Sequence, residues 1–218
     1  MTRSPAKPAA ARRAARGAHA RELRIIAGRW RGRRWRFPAA ATIRPTPDRV
    51  RETLFNWLQS RVPGARCLDL YAGSGALGLE ALSRGAASVL FVENDAAAAR
   101  ALRALLAEWD GGGGTVVQAD APHFLAQAAR PFDLVFLDPP FTAGLLDMSC
   151  ERLAAGGWLA PGACVYVEHA RRAAPPPLPE GWRELRAGAA GEVGYHLSET
   201  GLYETGLYET GNGPSRGP

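Results

Sequence analysis

Short apolar runs alternate with longer amphipathic stretches from residue 66 to about residue 197. This alternation predicts strands separated by helices, which is typical of a doubly wound α/β sheet. The candidate strands are Cys67–Tyr71, Ser88–Val92, Thr115–Gln118, Phe132–Leu137, Ala163–Glu168, Trp182–Leu185 and Val193–Leu197. The first five have helical stretches between them and are predicted to be parallel. The last two have none, and Gly194 with the short spacing predicts that they form a hairpin in the sheet.

A separate pattern of apolar and basic residues occupies residues 23–38. Two short β-type runs flank the turn-forming pair Arg31-Gly32, so this segment predicts a β-hairpin. Guanidinium groups bind phosphates and stack on bases, which makes the arginines of this segment candidate RNA contacts. These candidates are Arg29, Arg31, Arg33, Arg34 and Arg36. The interleaved aromatics Trp30, Trp35 and Phe37 could instead pack the hairpin on the main domain, and both interpretations can hold together.

The segment at residues 43–50 predicts an extended connector that leads into a helix. Thr46 is expected to cap this helix and Pro47 to occupy its first position. The face expected to pack inward carries Val50, Leu54, Trp57 and Leu58. The basic residues left for a ligand or for solvent are Arg44, Arg49 and Arg51. Of these, we add Arg44 and Arg49 to the candidate RNA contacts.

Charge is distributed unevenly along the 218 residues of the chain. The first 51 residues hold 15 of the 27 Lys and Arg but only Glu22 and Asp48 as acids, whereas the remainder has a net charge of −7. A basic arm on a neutral or acidic body is the electrostatic pattern of a polyanion-binding enzyme. The first 20 residues are rich in Ala and Arg and are expected to form a disordered, solvated tail.

Several classes of protein are not favoured by this sequence. It contains no apolar run long enough to span a bilayer, and its start lacks the apolar stretch of a secretory signal. Its three cysteines, Cys67, Cys150 and Cys164, are far apart and form no Cys-x-x-Cys pair, so reduced core thiols are expected. These features predict a cytoplasmic protein without a metal site, and we expect a monomer.

The turn after the first candidate strand contains Gly73, Gly75 and Gly78, which form a Gly-x-Gly-x-x-Gly pattern. Such glycines let the backbone approach a cofactor, and Glu93 after the second strand is placed to bind ribose hydroxyls. Both features suit NAD and S-adenosylmethionine equally. Asp69 favours S-adenosylmethionine, because a carboxylate there would oppose a pyrophosphate but attract an amino group and a sulfonium.

Two further acidic residues follow strands. Asp120 comes after the third candidate strand, where it could hold an adenine amine or cap a helix, and both interpretations stay open. Asp95 is expected to cap the helix that runs to Trp109.

The residues Asp138-Pro139-Pro140-Phe141 directly follow the fourth strand and suit a planar amine. Asp138 offers an acceptor to an N–H, and the prolines lack competing backbone donors, so carbonyl oxygens can face a ligand. Phe141 supplies a flat face on which a base could stack. Ligands of open α/β sheets bind at the carboxyl ends of strands, where Asp69, Glu93, Asp120 and Asp138 are all expected. We therefore interpret this segment as a catalytic loop that faces a methyl donor.

These residues resemble the RsmD family of bacterial 16S rRNA guanine-N2 methyltransferases. The resemblance is carried by Arg24–Gly28, Arg44–Asn56, Asp69–Ala86 and Asp138–Phe141, and it covers about residues 21–197. It implies a Rossmann-like class I fold with a seven-stranded, mostly parallel sheet and an N-terminal basic β-hairpin. It also implies S-adenosylmethionine as the donor and guanine 966 of 16S rRNA, within the small ribosomal subunit, as the target.

The resemblance further implies where the site lies. The expected cofactor contacts are Asp69, Tyr71, Gly73, Gly75, Glu93, Asn94, Asp120 and Ala121, and the expected catalytic residues are Asp138, Pro139, Pro140 and Phe141. A DNA adenine-N6 methyltransferase would use the same catalytic loop, and a non-catalytic RNA-binding assembly protein could keep the same fold. Both alternatives stay open at this point.

The expected organisation has four parts. The basic tail occupies residues 1–20, the hairpin extension residues 21–43 and the methyltransferase domain residues 44–197. Residues 198–218 contain a repeat of Glu-Thr-Gly-Leu-Tyr followed by Gly and Pro, and they are expected to be a disordered tail.

Overall fold

The computed structural model describes residues 21–37, 46–141 and 144–201. Its strands are β1 (Arg21–Arg24), β2 (Arg34–Phe37), β3 (Arg66–Asp69), β4 (Ser88–Glu93), β5 (Gly114–Gln118), β6 (Phe132–Leu137), β7 (Leu159–Ala170), β8 (Trp182–Ala190) and β9 (Val193–Thr200). Its helices are α1 (Asp48–Trp57), α2 (Ala76–Ser83), α3 (Ala96–Glu108), α4 (Ala121–Phe124) and α5 (Leu145–Ala155). The expectations for the first 20 residues, for Arg44 and for the C-terminal tail beyond residue 201 lie outside the described residues.

Seven strands form one sheet in the order β5-β4-β3-β6-β7-β9-β8. The five strands from β3 to β7 pair in parallel, and β9 runs antiparallel to both β7 and β8. The predicted Rossmann-like α/β fold with a C-terminal hairpin in its sheet is therefore confirmed. The last strands are longer than predicted, since β8 runs to Ala190 and β9 runs to Thr200. The expectation that the disordered tail begins at residue 198 is therefore wrong, because residues 198–200 pair in the sheet.

The centre of the sheet is apolar on both faces, as expected for parallel strands covered by helices. Four consecutive residues of β6, from Leu134 to Leu137, are fully buried. The direction in which the chain adds strands to the sheet reverses at β3. Strands β4 and β5 extend the sheet on one side of β3, and the chain then returns and places β6 on the other side. The crevice at the carboxyl ends of β3 and β6 is therefore the switch point at which such sheets bind ligands.

The N-terminal hairpin is docked on the main domain through its apolar side chains. Leu23, Ile25, Trp30 and Phe37 are buried in the same core cluster as residues of α1 and α2. Gly28, with φ +81°, approaches α2 so closely that a Cβ there would lie 1.8 Å from the Ser83 carbonyl oxygen. The five hairpin arginines named as candidate RNA contacts remain exposed, so the packing and the RNA-contact interpretations are compatible.

One buried carboxylate ties the hairpin to both helices beneath it. Glu80 of α2 accepts hydrogen bonds from the backbone N–H groups of Ile26 and Ala27 at 2.8 and 3.0 Å. It also pairs with Arg51 of α1 and with Arg84. The expectation that Arg51 is left for ligand or solvent is therefore wrong: its side chain is 1% exposed and neutralises Glu80 in the core.

The start of α1 also differs from the prediction. Pro47 is the N-cap residue rather than the first helical residue, and no side chain caps the helix. Thr46 does not cap it because its hydroxyl is hydrogen-bonded to side chains on other elements, described below. Within α1, Val50 and Leu54 are buried as predicted, and Phe55 is buried as well, whereas Trp57 is only half-buried against Tyr195.

The three cysteines are buried free thiols, as predicted. Burial raises the pKa of the Cys67 and Cys150 thiols to about 12, and it also raises the pKa of Cys164. These thiols therefore stay protonated near neutral pH and act as small apolar residues in the core.

Candidate active site

Four acidic residues lie at the carboxyl ends of four adjacent strands. Asp69 ends β3, Glu93 ends β4, Asp120 follows β5 and Asp138 follows β6. Because the strands are ordered β5-β4-β3-β6, the four residues follow one another along a single edge of the sheet. The placement predicted from the sequence is confirmed.

The glycine-rich turn after β3 is closed by Glu93. The Glu93 carboxylate accepts hydrogen bonds from the backbone N–H of Gly73 at 2.6 Å and from that of Asp95 at 2.7 Å. Gly73 adopts φ +52°, a conformation that few other residues tolerate. The carboxylate of Glu93 is thus held between the glycine turn and the start of α3, where the ribose hydroxyls of a nucleoside cofactor were predicted to bind.

Asp69 is more deeply buried than its predicted role suggests. Its side chain is 2% exposed, and one carboxylate oxygen accepts a hydrogen bond from the Gly78 N–H in the first turn of α2 at 2.9 Å. Burial raises the pKa of Asp69 to about 7, although the Gly78 bond opposes the rise, and the carboxylates of Glu93 and Glu168 add to it. Asp69 therefore stabilises the start of α2 through its bond to Gly78, and its pKa responds to charge at the strand ends.

The remaining predicted cofactor residues line the same edge. Asp120 accepts a hydrogen bond from the His123 N–H and so caps α4, one of the two interpretations left open. Asp95 caps α3 as predicted, by accepting from the Ala98 N–H. Asn94 is exposed and Ala121 is buried in the first turn of α4.

Tyr71 links the glycine turn to the helix that follows the catalytic loop. Its hydroxyl lies 2.7 Å from the Ser149 hydroxyl of α5 and 3.4 Å from the Leu145 carbonyl oxygen. Burial raises the pKa of Tyr71. Since the hydroxyl is occupied, a cofactor contact at Tyr71 would use the ring.

The loop after β6 presents its four residues in different ways. Asp138 is partly buried and Pro139 is buried, whereas Pro140 is exposed and 51% of Phe141 is exposed. A cavity of about 210 Å³ opens beside this loop, between the two prolines and the end of β7, with Glu168 and His169 in its lining. An exposed aromatic ring at the mouth of a cavity suits a planar ligand that enters from solvent.

Two residues of this site were missed by the sequence reasoning. Glu168 of β7 is 2% exposed and accepts hydrogen bonds from the Thr46 hydroxyl and the Tyr166 hydroxyl, each at 2.9 Å. The Thr46 hydroxyl also lies 3.4 Å from Asp138. The sequence carried a signal for Glu168, which ends the fifth predicted strand, just as the other four acids lie within two residues of the ends of theirs. It carried none for the contacts of Thr46.

Burial dominates the electrostatics of this pair of carboxyls. It raises the pKa of Glu168 to about 7, against the opposing effect of the Thr46 and Tyr166 hydrogen bonds. It raises the pKa of Asp138 well above its usual range, and the carboxylates of Glu168 and Asp69 raise it further, whereas a hydrogen bond donated by the Thr46 hydroxyl lowers it.

The charge of the site fits a cationic cofactor. Among the residues that the structure describes, no Lys or Arg side chain forms an ion pair with the acidic residues of this edge, which are Asp69, Glu93, Asp120, Asp138 and Glu168. Acidic side chains without a counter-cation, two of them buried, favour a ligand that carries positive charge and disfavour a pyrophosphate. The residues present thus match the sulfonium and ammonium groups of S-adenosylmethionine better than NAD.

The hairpin arginines divide into two groups. The first group lies in the turn, where Gly28 packs on Ser83, the last residue of α2. Because a crossover helix ends near the amino edge of the sheet, this turn lies near that edge. Arg29 and Arg33 stack there on Trp30 and Trp109, and Arg31 lies in the same turn.

The second group lies nearer the site. Arg34 pairs in register with Arg24. The Arg24 side chain contacts Asp48, which lies two residues after Thr46 of the site. Arg36 follows on the same strand, and Arg49 is exposed at the start of α1.

Two negative observations apply to the described ranges only. Every helix in them is too short or too polar to span a bilayer. They also contain no group of three or more His, Cys, Asp or Glu side chains that could hold a metal ion.

Comparison with known proteins gives consistent matches over this whole region. A family model described as Conserved hypothetical protein 95 matches residues 23–199. Ribosomal RNA small subunit methyltransferase D of Escherichia coli K12 is 48% identical over 176 residues, which cover 81% of this chain and 89% of that protein. The protein of the same name from Haemophilus influenzae is 42% identical over 180 residues, covering 81% of this chain and 93% of that protein.

A solved structure agrees with the sequence matches. The yhhF protein from Escherichia coli superposes with a TM-score of 0.76 at 45% identity, and the alignment covers 83% of this chain and 98% of that chain. The range matched by the family model includes the hairpin from residue 23, the glycine turn and the loop after β6.

Proposed function

Because this chain belongs to the RsmD family, we propose that it transfers a methyl group from S-adenosylmethionine to the exocyclic N2 of a guanine in 16S rRNA. Guanine 966 is the target that the family resemblance favours. We place the reaction in the cytoplasm, on the small ribosomal subunit or one of its assembly intermediates, with the protein acting as a monomer.

The observation that carries this proposal is the position of Asp138. It follows β6 at the switch point of the sheet, beside the row of carboxylates formed by Asp69, Glu93 and Asp120. The loop with the amine acceptor thus adjoins the edge whose charge suits a sulfonium cofactor. A methyl donor held on one side and an amine on the other would meet at this loop.

The chemistry requires a loop of this kind. An exocyclic amine is a weak nucleophile because its lone pair is delocalised into the ring. Hydrogen bonds from its N–H groups to Asp138 and to the Pro139 carbonyl would orient the lone pair towards the methyl group. Positioning then supplies much of the acceleration, and Asp138 can receive the proton that the methylated nitrogen releases.

The cofactor would be held by residues already at the strand ends. Glu93 would take ribose hydroxyls, the free oxygen of Asp120 and the nearby Asn94 and Ala121 would face the adenine, and the glycine turn would lie along the cofactor. When bound, S-adenosylmethionine supplies the methyl group and the positive charge.

The target base would be taken out of its stack and held on Phe141. The exposed ring of this residue stands at the mouth of the cavity beside the loop. Splayed or flipped bases are stacked on aromatic side chains by enzymes that modify them. The exposed arginines of the hairpin and Arg49 would bind the surrounding phosphates.

The test offers the enzyme S-adenosylmethionine with a tritiated methyl group and three substrates in parallel. These are small subunits from cells that lack this modification, free 16S rRNA and duplex DNA. We expect transfer to rRNA, with N2-methylguanine in the digested product at a single position. Methylated adenine in DNA would instead establish the DNA methyltransferase alternative, and cofactor binding without transfer to any substrate would favour the non-catalytic one.

A further inference from the structure

The hydroxyl of Thr46 contacts two carboxyl groups although it has one proton to donate. Its Oγ1 lies 2.9 Å from Glu168 Oε1 and 3.4 Å from Asp138 Oδ2. Tyr166 donates to the same Oε1 of Glu168 at 2.9 Å, so that oxygen is an acceptor. With the Thr46 proton directed to Glu168, the contact with Asp138 is satisfied when a protonated Asp138 donates to Thr46 Oγ1.

The surroundings of this arrangement favour a neutral Asp138. Each neighbouring element contributes acidic, neutral or polar groups, namely Asp69 at the end of β3, Tyr166 and His169 on β7, Tyr195 on β9 and Thr46 before α1. Burial lowers the pKa of His169, so this ring stays neutral at neutral pH. Within the described residues, no cation compensates a second negative charge beside Glu168.

We propose that Glu168 and Thr46 are positioning residues that hold a proton on Asp138 in the cofactor-free protein, and that this proton leaves when the cationic cofactor binds. Glu168 acts through its negative charge, which opposes ionisation of Asp138. Thr46 acts through the oxygen that accepts the Asp138 proton. Neither residue needs to touch the substrate.

The consequence for the reaction rests on the function proposed above. The positive charge of the bound cofactor favours an ionised Asp138, which can then accept an N–H of the target amine. Methyl transfer forms the N–C bond and breaks the S–C bond, whose electron pair stays on the sulfur. The nitrogen releases its proton to Asp138, so the neutral sulfur product leaves beside a protonated Asp138. The site thereby returns to its starting protonation state.

The first test measures the pKa of Asp138 directly in the full chain without cofactor. The protein is labelled with ¹³C at the Asp side-chain carboxyl carbons, and the Asp138 signal is assigned through Asp138→Asn. We expect Glu168→Gln to lower the pKa of Asp138, because it removes the neighbouring charge and keeps the shape and the acceptor oxygen. Thr46→Val should also lower it, because the acceptor of the Asp138 proton is lost.

The matched control is Thr200→Val. This threonine is also buried, but its hydroxyl contacts the Ala160 carbonyl oxygen, and Thr200 lies at the end of β9 away from Asp138. It should leave the Asp138 titration unchanged. A raised pKa in Thr46→Val would show that Thr46 donates to Asp138, and an unchanged pKa in Glu168→Gln would remove Glu168 from the account. Either result overturns the proposal, and Thr46→Val decides alone if Glu168→Gln does not fold.

The second test counts protons released on binding, by calorimetry at neutral pH in buffers of different ionisation enthalpy. S-adenosylmethionine should release up to about one proton more than S-adenosylhomocysteine, whose sulfur is neutral. Glu168→Gln should shrink that difference, and equal release by the two ligands contradicts the proposal. Neither test needs RNA or turnover, so a protein that titrates as expected but methylates no rRNA would reject only the proposed function.

Discussion

Arg51 Nη1 lies 3.5 Å from Glu80 Oε2, and the two side chains are 1% and 0% exposed. The same carboxylate accepts hydrogen bonds from the backbone N–H groups of Ile26 and Ala27 in the hairpin. The basic hairpin is therefore not an independent arm. A single charged group helps to fasten it to the core of the methyltransferase fold. Removing that group should lower the stability of the whole domain.

We expect Glu80→Ala to lower the free energy of unfolding by about 3–5 kcal/mol, because it leaves two backbone N–H groups without their acceptor and removes the buried partner of the Arg51 guanidinium, which keeps only Asp48 and the Arg24 carbonyl oxygen. Urea unfolding monitored by circular dichroism measures the change. The control is Glu108→Ala, an exposed residue at the end of α3, which should stay within about 0.5 kcal/mol of the wild type. Equal losses in the two variants would show that Glu80 does not anchor the hairpin.

The hairpin also shows where local sequence rules stop. Helical periodicity assigned Arg51 to solvent or ligand, because a charged residue is normally left on the polar face of a helix. Its partner Glu80 lies 29 residues away on another helix. The pattern of apolar and polar residues in α1 does not reveal that Arg51 packs against a buried acid.

The strand ends were more predictable than their partners. Short apolar runs located β3 to β6, and each run placed one acid within two residues of its carboxyl end, so the edge of the site followed from the alternation. Thr46 was assigned to a helix cap by the same kind of local rule. In the folded chain its hydroxyl is taken by Glu168, 122 residues away, a competition that only the tertiary structure decides.

Asp138→Ala should lower kcat for rRNA methylation by about 10²–10⁴-fold, because the amine loses both its orienting acceptor and its proton acceptor. The affinity for S-adenosylmethionine should fall far less than kcat, since most of the cofactor is held by the other strand ends. Single-turnover methyl transfer and calorimetric binding separate the two effects. Undiminished transfer by this variant would rule out the proposed role of the loop.

Phe141→Ala should weaken substrate engagement without affecting the cofactor. Loss of one aromatic stacking partner costs about 1–3 kcal/mol per base, which corresponds to roughly a 5- to 150-fold loss in kcat/KM for rRNA. Because the ring is exposed, stability should be unchanged. Phe141→Tyr keeps a flat face and should retain most of the activity. If the alanine and tyrosine variants were equally impaired, stacking would not be the role of this ring.

The arginines of strand β2 should contribute to RNA binding more than those in the turn of the hairpin. Arg34→Ala with Arg36→Ala should reduce the slope of log K against log salt by about 1 for each phosphate that the protein no longer binds, whereas Arg31→Ala should have a smaller effect. Among the residues that the structure describes, both arginines pair only with the exposed Glu22, so the double variant should fold normally.

Filter binding of small-subunit rRNA at several salt concentrations gives these slopes. Arg130→Ala serves as the control. This exposed arginine precedes β6, at the amino ends of the strands, whereas the site lies at their carboxyl ends. A salt slope that is unchanged in the double variant would place the RNA on another surface.

The stability of the cofactor-free protein should fall as the pH rises from about 4 to 7. Burial holds the pKa of Asp69 at about 7, whereas an unfolded aspartic acid ionises near pH 4. Between these values the unfolded state has lost a proton that the folded state keeps, so increasing pH favours unfolding. Asp69→Asn keeps an acceptor for the Gly78 N–H but cannot ionise. Its free energy of unfolding should therefore fall less than that of the wild type over this range, by on the order of a few kcal/mol. Urea titrations at pH 5 and pH 8 measure the loss of unfolding free energy in the wild type and in the variant. Equal losses in the two proteins would mean that Asp69 is already ionised in the folded protein at pH 5.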